Sequence, residues 1–348
     1  MVKNNKLDKI WDPPLVSIII LNWNGEKYLR KCTQSVLETN YPFLEIIVSD
    51  NGSTDNSVRM IKTNYKNVIL IENNANLGFC KGNNIAIRCA KGDIIILLNN
   101  DTYVDENWVS EIVKAAENPK VGIIGCKLYF ANTNVIQSAG ASLHPSGYWN
   151  SRAEGAFQED NGQLNGIKDV DFVSGAALAI KRAVINRIGL LDPNFYSYYE
   201  DVDWCYRAKK AGYRVCVANK AVVYHFVSVS WGSKLFKQSY LCERNRLYFI
   251  IKHHSGLDLL NSLTFYDIKF MIEKAKEILS AKHSVENDEQ KTITINGSSR
   301  SIFASMINWF GARLFAFLTI PLLTLKLRRS IKQTNRYSAH GVLGDKQI

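Results

Sequence analysis

Short apolar runs alternate with segments of helical periodicity through the first two thirds of the chain. Runs rich in Val, Ile and Leu predict strands at 16–21, 44–49, 68–72, 94–98 and 121–130. The segments between them carry apolar residues on one helical face and predict helices at 26–39, about 54–64, 82–90 and 106–118, with Ser53 or Thr54 capping the second. Strands and helices alternating at this spacing form right-handed βαβ crossovers. The pattern therefore predicts an α/β fold with a mainly parallel central sheet.

The pattern changes after residue 130. Residues 131–169 are rich in Gly, Ser, Asn and Gln and predict a long excursion with a hairpin or a lid. Further strands are predicted at 172–180, 213–218 and 221–226, and further helices at 182–188 and 200–211. The rest of the chain predicts a helical C-terminal extension, with helices at about 237–252 and 266–282 and a polar linker at 284–300.

A strongly apolar segment lies near the C-terminus, at 302–327, and is interrupted by Arg313 and Pro321. Its length would span a bilayer, but an Arg at the centre of a spanning helix costs about 2.5 kcal/mol or more. Three interpretations stay open: a helix on a membrane surface, which we favour, a helix packed within the protein, and a true span.

Positive charge is concentrated in the same region. The net charge is +11, and residues 231–348 hold 18 Lys and Arg against 9 Asp and Glu, whereas residues 1–230 hold 25 against 23. This asymmetry predicts an anionic partner, which could be nucleic acid, anionic lipid or a phosphorylated substrate. The seven cysteines include no C-x-x-C pair, and the apolar run near the N-terminus is too short for a signal peptide, which favours a cytoplasmic protein.

Polar residues directly follow two of the predicted strands. Asn99, Asn100 and Asp101 follow one, and Asp50 follows another. The carboxyl ends of parallel strands meet in one crevice, where open α/β sheets bind ligands. The Asp101 carboxylate, with two carboxamides beside it, suits Mg²⁺ or Mn²⁺ bound to a diphosphate. Asp50 could accept the imide N–H of a pyrimidine or a ribose hydroxyl, and ordinary Asx turns are the alternative at both places.

Three acidic residues, Glu200, Asp201 and Asp203, open the helix predicted at 200–211. The helix macrodipole favours carboxylates at this end, which is the purely structural explanation. A carboxylate held there among tyrosines could instead act as a general base toward a hydroxyl. Because Arg207 lies one turn beyond Asp203 and can pair with it, Asp201 is the freer candidate.

His225 closes the last of the predicted strands. A single His at a strand end is more often structural, but this one could reach the same crevice and complete a metal site with Asp101. No G-x-G-x-x-G sequence and no P-loop follows any predicted strand. Their absence from the sequence argues against a nicotinamide enzyme and against a P-loop nucleotide site.

Five segments together resemble one family. Residues 16–24 (VSIIILNWN), 50–55 (DNGSTD), 76–79 (NLGF), 98–101 (LNND) and 200–203 (EDVD) have the order and spacing of family 2 glycosyltransferases, and the version with His225 resembles the rhamnosyltransferase-type branch. The resemblance covers about 14–250, the expected catalytic domain, and leaves 251–348 as a basic, apolar helical extension. It implies a GT-A type, Rossmann-like nucleotide-diphospho-sugar transferase fold, a divalent metal and inverting sugar transfer.

The resemblance also implies a role for each matching residue. Asp201 would be the catalytic base, Asp101 would bind the metal, Mg²⁺ or Mn²⁺, and His225 is a candidate co-ligand. Asn99 stands where the family's Asp-x-Asp pattern has its first carboxylate. Asp50 would recognise the pyrimidine of the donor. The other residues expected to bind the donor are Asn22, Trp23, Asn24, Gly78, Phe79, Asn99 and Asn100.

We therefore expect a hexosyltransferase that moves a sugar, with rhamnose as a candidate, from a dTDP- or UDP-sugar to a hydroxyl of a lipid-linked or cell-surface glycan. It would work in the cytoplasm, peripherally at the inner face of the cell membrane. A nucleotidyltransferase of related fold is an alternative, although no basic, glycine-rich loop follows the first predicted strand. A nucleic-acid-binding protein that uses the basic tail is another. That alternative leaves Asp50, Asp101 and Asp201 without a role, so we expect no nucleic-acid partner.

Overall fold

The computed structural model describes residues 13–151, 157–226, 235–270, 272, 313, 315 and 316. These residues divide into two compact units. The first contains the described residues of 13–142 and 150–226, and the second contains 143–149 together with the described residues from 235 onward. The expected division of the chain at residue 250 stays a prediction.

Strands and helices alternate in the first unit, and helices dominate the second. The strands are β1 (Val16–Asn22), β2 (Leu44–Asp50), β3 (Ile69–Glu72), β4 (Ile94–Asn99), β5 (Thr102–Val104), β6 (Val121–Phe130), β7 (Ile136–Ser138), β8 (Ala141–Leu143), β9 (Trp149–Ser151), β10 (Ile167–Asp169), β11 (Ala177–Lys181) and β12 (Arg214–His225). The helices are α1 (Glu26–Leu37), α2 (Ser57–Asn64), α3 (Gly78–Cys89), α4 (Trp108–Ala116), α5 (Arg182–Ile188), α6 (Glu200–Lys210), α7 (Leu235–His253) and α8 (Gly256–Leu263).

Within the described residues, ten strands form one sheet. Its order is β10-β12-β6-β11-β4-β1-β2-β3, with β5 beside β12 and β7 beside β6. The pairs β1–β2, β1–β4, β2–β3 and β6–β12 are parallel. β11 lies antiparallel between β4 and β6, so β6 and β12 run in the same direction as β4, β1, β2 and β3. The short strands β5, β7 and β10 run the opposite way. These pairings confirm the predicted α/β fold with a mainly parallel central sheet.

The apolar runs form the strands because both faces of this sheet are covered. Residues 94–98 of β4 and 16–20 of β1 are buried at every position, which is typical of central parallel strands. Leu29 and Val36 of α1 and Trp108 of α4 pack in the same core as these strands. The polar residues Asn22 and Asn99 follow these buried runs at the carboxyl ends of β1 and β4.

Several local predictions differ from the structure. One strand, β12, replaces the two expected at 213–218 and 221–226, with a register irregularity between Ala218 and Val222. α3 begins at Gly78 rather than at 82. Gly78 has a φ of 78°, and its N–H donates to Asn76 Oδ1 at 3.0 Å. The polar excursion contains the short strands β7, β8, β9 and β10.

The predicted capping of α2 by Ser53 or Thr54 is wrong. The helix begins at Ser57, follows Asn56 and has no side-chain cap hydrogen bond. The Ser53 hydroxyl instead donates to Asp50 Oδ1 at 2.5 Å. Ser53 therefore supports the loop after β2 and does not start the helix.

In the second unit, α7 confirms the helix predicted at 237–252. α8 was not predicted, and residues 265–270 and 272 are helical where a helix was expected from 266. The predictions for 284–300 and for 302–327 lie outside the described residues, apart from 313, 315 and 316. Among the described residues, no helix combines the length and apolarity that a bilayer crossing requires.

Candidate functional site

The polar ends of β1, β2, β4 and β12 lie at one edge of the sheet. Asn22 pairs with Asp50 across β1 and β2, and Leu21 pairs with Asn99 across β1 and β4. β11 runs the opposite way and so begins at this edge, where Ala176 O accepts the N–H of Asn99 at 2.9 Å. The topology thus brings early and late segments of the chain to the same place.

The Asn22 side chain joins the loops that follow β2 and β4. Its Nδ2 donates to Asp50 Oδ1 at 2.8 Å, and its Oδ1 accepts from Asn100 Nδ2 at 2.9 Å. A Cβ at position 25 would lie 2.0 Å from Asn100 Nδ2, so glycine is required there. Because Asn22 is only 1% exposed, it positions both loops from within the protein.

The Asp50 carboxylate also holds its own turn. Its Oδ2 accepts the Ser53 N–H at 2.9 Å, which is the Asx-type arrangement that the sequence offered as an alternative. The residue is buried, whereas Trp23 and Asn24 in the neighbouring loop are exposed. Asn24 Oδ1 accepts the Thr54 N–H at 2.8 Å, which fixes that loop beside the Asp50 turn.

Gly78 and Phe79 begin α3 at the same edge. The Asn51 side chain, next to Asp50, donates to Gly78 O at 3.1 Å. A Cβ at Gly78 would lie 2.4 Å from the ring of Tyr196, so only glycine fits between this loop and the segment before α6. The Phe79 ring approaches Gly175, where an added Cβ would lie 3.5 Å from Phe79 Cζ.

Asp101 and His225 are in direct contact. Asp101 Oδ1 lies 3.2 Å from His225 Nε2, and both side chains are about 8–9% exposed. The Phe226 N–H donates to Asp101 O at 2.9 Å, which ties the end of β12 to the loop after β4. The two residues predicted to bind a metal are therefore neighbours.

Both ring nitrogens of His225 have polar neighbours. Nδ1 lies 3.1 Å from Gln137 Oε1. Nε2 lies 3.5 Å from Asn99 Nδ2 and 3.2 Å from Asp101 Oδ1. In the tautomer that carries its proton on Nδ1, Nε2 would be able to bind a cation together with Asp101 Oδ1.

This pair fits a divalent ion with an open coordination sphere. Two adjacent ligands on an octahedral ion with bonds of about 2.1 Å lie about 3 Å apart, close to the observed separation. Among the residues that the structure describes, no group of three His, Cys, Asp or Glu side chains could hold a metal. Mg²⁺ sites commonly use one or two protein ligands, with the other positions taken by substrate phosphates and water.

Asp201 is held at the start of α6. Its Oδ2 accepts the Gly175 N–H at 2.9 Å, and its Oδ1 accepts the Val202 N–H at 2.9 Å. Burial raises the pKa of Asp201, and these two N–H groups oppose the rise. Gly175 precedes β11 by two residues, so Asp201 lies at the edge that carries Asn99.

Three tyrosines before α6 have left-handed backbones. Tyr196, Tyr198 and Tyr199 have φ angles of 64°, 72° and 68°, a conformation that costs roughly 1 kcal/mol or more per residue outside glycine. Asp203 pairs with Arg207 at 2.7 Å, as the sequence predicted. Strain therefore precedes Asp201, and an ion pair anchors the helix one turn after it.

Glu200 is a second buried acid, next to Asp201. It is 5% exposed, and its Oε2 has no hydrogen-bond partner among the described residues. Burial and the neighbouring charge of Asp201 raise the pKa of Glu200 well above its usual value of 4.5. Glu200 therefore keeps its proton to higher pH than an ordinary glutamate.

We expect Glu200→Gln to remove part of the pH dependence of stability. Above the usual pKa of 4.5 the unfolded chain loses this proton while the folded protein keeps it, so stability falls as pH rises through the folded pKa. At the upper end of this pH range, the free energy of unfolding of the variant should rise relative to that of the wild type. The rise should be about 1.4 kcal/mol for each unit by which the pKa of Glu200 in the folded protein exceeds that in the unfolded chain. Urea unfolding of both proteins from about pH 5 to pH 8 measures this difference, and parallel curves would contradict it.

The structure brings nearly all the predicted site residues to one edge of the sheet. It also adds Gln137, Ser53 and Gly175, which sequence reasoning did not identify. Gln137 belongs to β7, a three-residue strand without a clear apolar alternation, and its contact with His225 depends on pairing within the polar excursion. Gly175 contacts Asp201 through its backbone N–H, which almost every residue type possesses. Ser53 contacts Asp50 through its N–H and its hydroxyl, and the sequence had assigned that side chain to a helix cap.

Comparison with known proteins addresses the family. Residues 17–189 match the family model described as glycosyl transferase family 2. The y4gI protein of Sinorhizobium fredii is 31% identical over 229 residues, which cover 63% of this chain and 25% of that protein. The O-antigen biosynthesis protein RfbC of Myxococcus xanthus is 29% identical over 222 residues, which cover 61% of this chain and 17% of that protein. The chain thus spans a quarter or less of the length of these curated relatives.

Comparison with solved structures addresses the fold. The mannosyltransferase PcManGT from Pyrobaculum calidifontis, in complex with GDP-Man and Mn²⁺, superposes with a TM-score of 0.56 at 16% identity. The match covers 89% of this chain and 87% of that chain. It confirms the predicted GT-A type fold.

Proposed function

We propose that the protein transfers a sugar from a nucleotide-diphosphate donor to a hydroxyl of a glycan acceptor, because residues 17–189 match the family model described as glycosyl transferase family 2. One observation carries the proposal. Asp50, the Asp101–His225 pair and Asp201 lie at a single edge of the sheet, joined by the hydrogen bonds of Asn22, Asn99 and Gly175. Displacement of a nucleoside diphosphate needs a donor pocket, charge neutralisation and a base. Asp50, the Asp101–His225 pair and Asp201 would supply these in that order.

Asp201 is the general base. Its carboxylate accepts the proton of the acceptor hydroxyl while the hydroxyl oxygen attacks the anomeric carbon, and the bond from that carbon to the diphosphate oxygen breaks. The raised pKa of Asp201 makes it a stronger base than an ordinary aspartate, and the Gly175 and Val202 N–H groups fix its direction. Attack by one activated hydroxyl on the face opposite the leaving group inverts the configuration.

The Asp50 and Asp101 loops hold the donor. Trp23 and Asn24 line the nucleotide side with Asp50, and Gly78 and Phe79 line the ribose and phosphate side. Asp101 and His225 would hold a Mg²⁺ or Mn²⁺ ion, and Gln137 orients the imidazole toward it. Such an ion, when bound, neutralises the negative charge that develops on the departing diphosphate.

The donor and acceptor are proposed more narrowly from the sequence. The acidic Asp50 turn suits a pyrimidine, so a dTDP- or UDP-sugar is proposed, with rhamnose as a candidate sugar. PcManGT binds GDP-Man with Mn²⁺, which supports a nucleotide sugar and a divalent ion in general. The O-antigen role named for RfbC supports a surface or lipid-linked glycan as acceptor. The proposed location is the inner membrane face, because residues 231–348 carry an excess of positive charge.

Thermal unfolding with a panel of nucleotide sugars tests this proposal. A donor present at about 100 times its Kd should stabilise the protein by about 2.7 kcal/mol, a rise in Tm of roughly 5–10 °C, and Mn²⁺ should enlarge the rise. Free sugars and ATP serve as controls that should leave Tm unchanged. If no nucleotide sugar raises Tm, with or without Mn²⁺, the proposed function is wrong.

A further inference from the structure

The last described helices of the second unit bury charge and expose apolar side chains. On the inner side, Glu243, Arg246 and Asp267 are 3%, 0% and 2% exposed. Arg246 Nε donates to Glu243 Oε2 at 3.1 Å, and its Nη1 lies 3.5 Å from Asp267 Oδ1. The Arg246 guanidinium also lies 4.2 Å from the centre of the Tyr148 ring. Buried ions at such positions are stable only when paired in this way.

The helical residues from Gly256 onward expose large apolar side chains. The exposed fractions are 70% for Leu257, 58% for Leu260, 62% for Phe265, 59% for Ile268 and 51% for Ile272. These five residues, here called the apolar face, recur at spacings of three to five along α8 and the helical residues that follow it. Single exposed apolar residues are ordinary, but a row of five on one short stretch marks a contact surface.

The charge around the apolar face is mainly positive. Apart from the buried network and Arg313, the charged residues described in this unit are Lys237, Arg244, Lys252 and Lys269 against Asp258. Residues 231–348 together hold 18 Lys and Arg against 9 Asp and Glu. An apolar stripe among cations is the pattern of helices that lie on anionic bilayers.

We infer that the apolar face docks on an anionic lipid surface, with α8 and the helical residues after it lying in the interfacial plane. Leu257, Leu260 and Phe265 enter the boundary between head groups and acyl chains, and the net positive charge of residues 231–348 attracts the lipid phosphates. A second copy of the chain is a poorer occupant, because self-pairing would bring the cations of both copies together. The inference goes beyond the proposed sugar transfer and does not depend on it.

Vesicle co-sedimentation of the full chain tests the inference. The wild type should pellet with phosphatidylglycerol-containing vesicles and much less with pure phosphatidylcholine. The double variant Leu257→Ser/Leu260→Ser should partition at least about tenfold more weakly, since two buried leucines are lost. Phe265→Ser should weaken partition by several fold. The matched control is Phe43→Ser/Ile69→Ser in the first unit, which removes side chains of 45% and 44% exposure and should bind like the wild type.

Three results would overturn the inference. The first is a wild type that pellets with neither kind of vesicle, and the second is a double variant that pellets like the wild type. The third is a wild type that light scattering shows to be a dimer, together with a double variant that is a monomer. Circular dichroism and the Tm rise with nucleotide sugars check that each variant is folded. Loss of the nucleotide-sugar response in the wild type would refute the proposed function and leave the vesicle result standing.

Discussion

Replacing Asp201 with Asn should lower kcat for sugar transfer by about 100-fold or more, because a positioned general base typically contributes at least that much. The amide is nearly isosteric and can still accept the Gly175 N–H, so donor affinity should change little. Initial rates with a labelled nucleotide sugar measure kcat, and the Tm rise with the same donor measures binding. A variant that keeps more than about a tenth of the wild-type kcat would refute Asp201 as the base.

Glu200→Gln is the matched control for this prediction. Glu200 is adjacent, acidic and buried, and its raised pKa means that an amide replaces a group that already holds a proton at moderate pH. We therefore expect the control to keep most of its kcat. The wild-type kcat/KM should rise with pH through the elevated pKa of Asp201, because only the ionised carboxylate accepts a proton. A loss in Glu200→Gln equal to that in Asp201→Asn would transfer the role of base to Glu200.

Replacing Asp101 with Asn should abolish the response to the divalent ion. The variant loses the carboxylate that faces His225 Nε2 at 3.2 Å, and kcat/KM in saturating Mn²⁺ should fall by about 100-fold or more. The Tm rise with donor should become the same with and without Mn²⁺. Titration of Mn²⁺ against activity, and against Tm, provides both measurements.

Two further variants test whether the effect is specific to the proposed metal ligands. Gln137→Leu removes the partner of His225 Nδ1 and leaves both proposed ligands, so the Mn²⁺ requirement should rise by roughly 10–100-fold while kcat at saturating Mn²⁺ is largely retained. Asp105→Asn changes an exposed carboxylate four residues from Asp101 and should leave the Mn²⁺ titration unchanged. A normal Mn²⁺ titration in Asp101→Asn would show that the ion binds elsewhere.

The strands of the central sheet were predictable because a strand that is buried on both faces consists of consecutive apolar residues. β1, β2, β4 and β6 lie within one residue of their predicted ends. β12 was predicted in two pieces because the polar pair at 219–220 interrupts the apolar run. In the structure the strand continues through this pair, with a register irregularity in its pairing with β6. The start of α3 was misplaced, and it lies at Gly78, whose close approach to Tyr196 joins segments far apart in the sequence.

The acidic members of the site were predictable for a topological reason. Parallel strands end at one edge, so Asp50 and Asp101 had to lie near each other, and their order along the chain matches a known family. The connections among them were not predictable. Asn22 was expected to bind the donor, but its side chain joins the Asp50 and Asn100 loops from a buried position. Such a role depends on a distance across three strands, which sequence spacing does not encode.

The C-terminal region shows where charge patterning misleads. The buried pairing of Arg246 with Glu243 lies in α7, within the region that the sequence characterises only by its net positive charge. An i,i+3 pair is ordinarily a weak surface interaction, and only its burial makes its loss costly. Composition located the positive charge correctly but could not say which charges face solvent.

The reversed direction of β11 has a consequence for how such a protein can diversify. The proposed nucleotide pocket uses residues up to 101, whereas the proposed base is supported by the segment just before β11. Gln137, which contacts His225, is the one residue of the intervening polar excursion that we assign to the site, so the rest of the excursion can change in length or composition without moving either half. Lineages that share one activated sugar could thus acquire new glycan linkages by altering a loop rather than by rebuilding the enzyme.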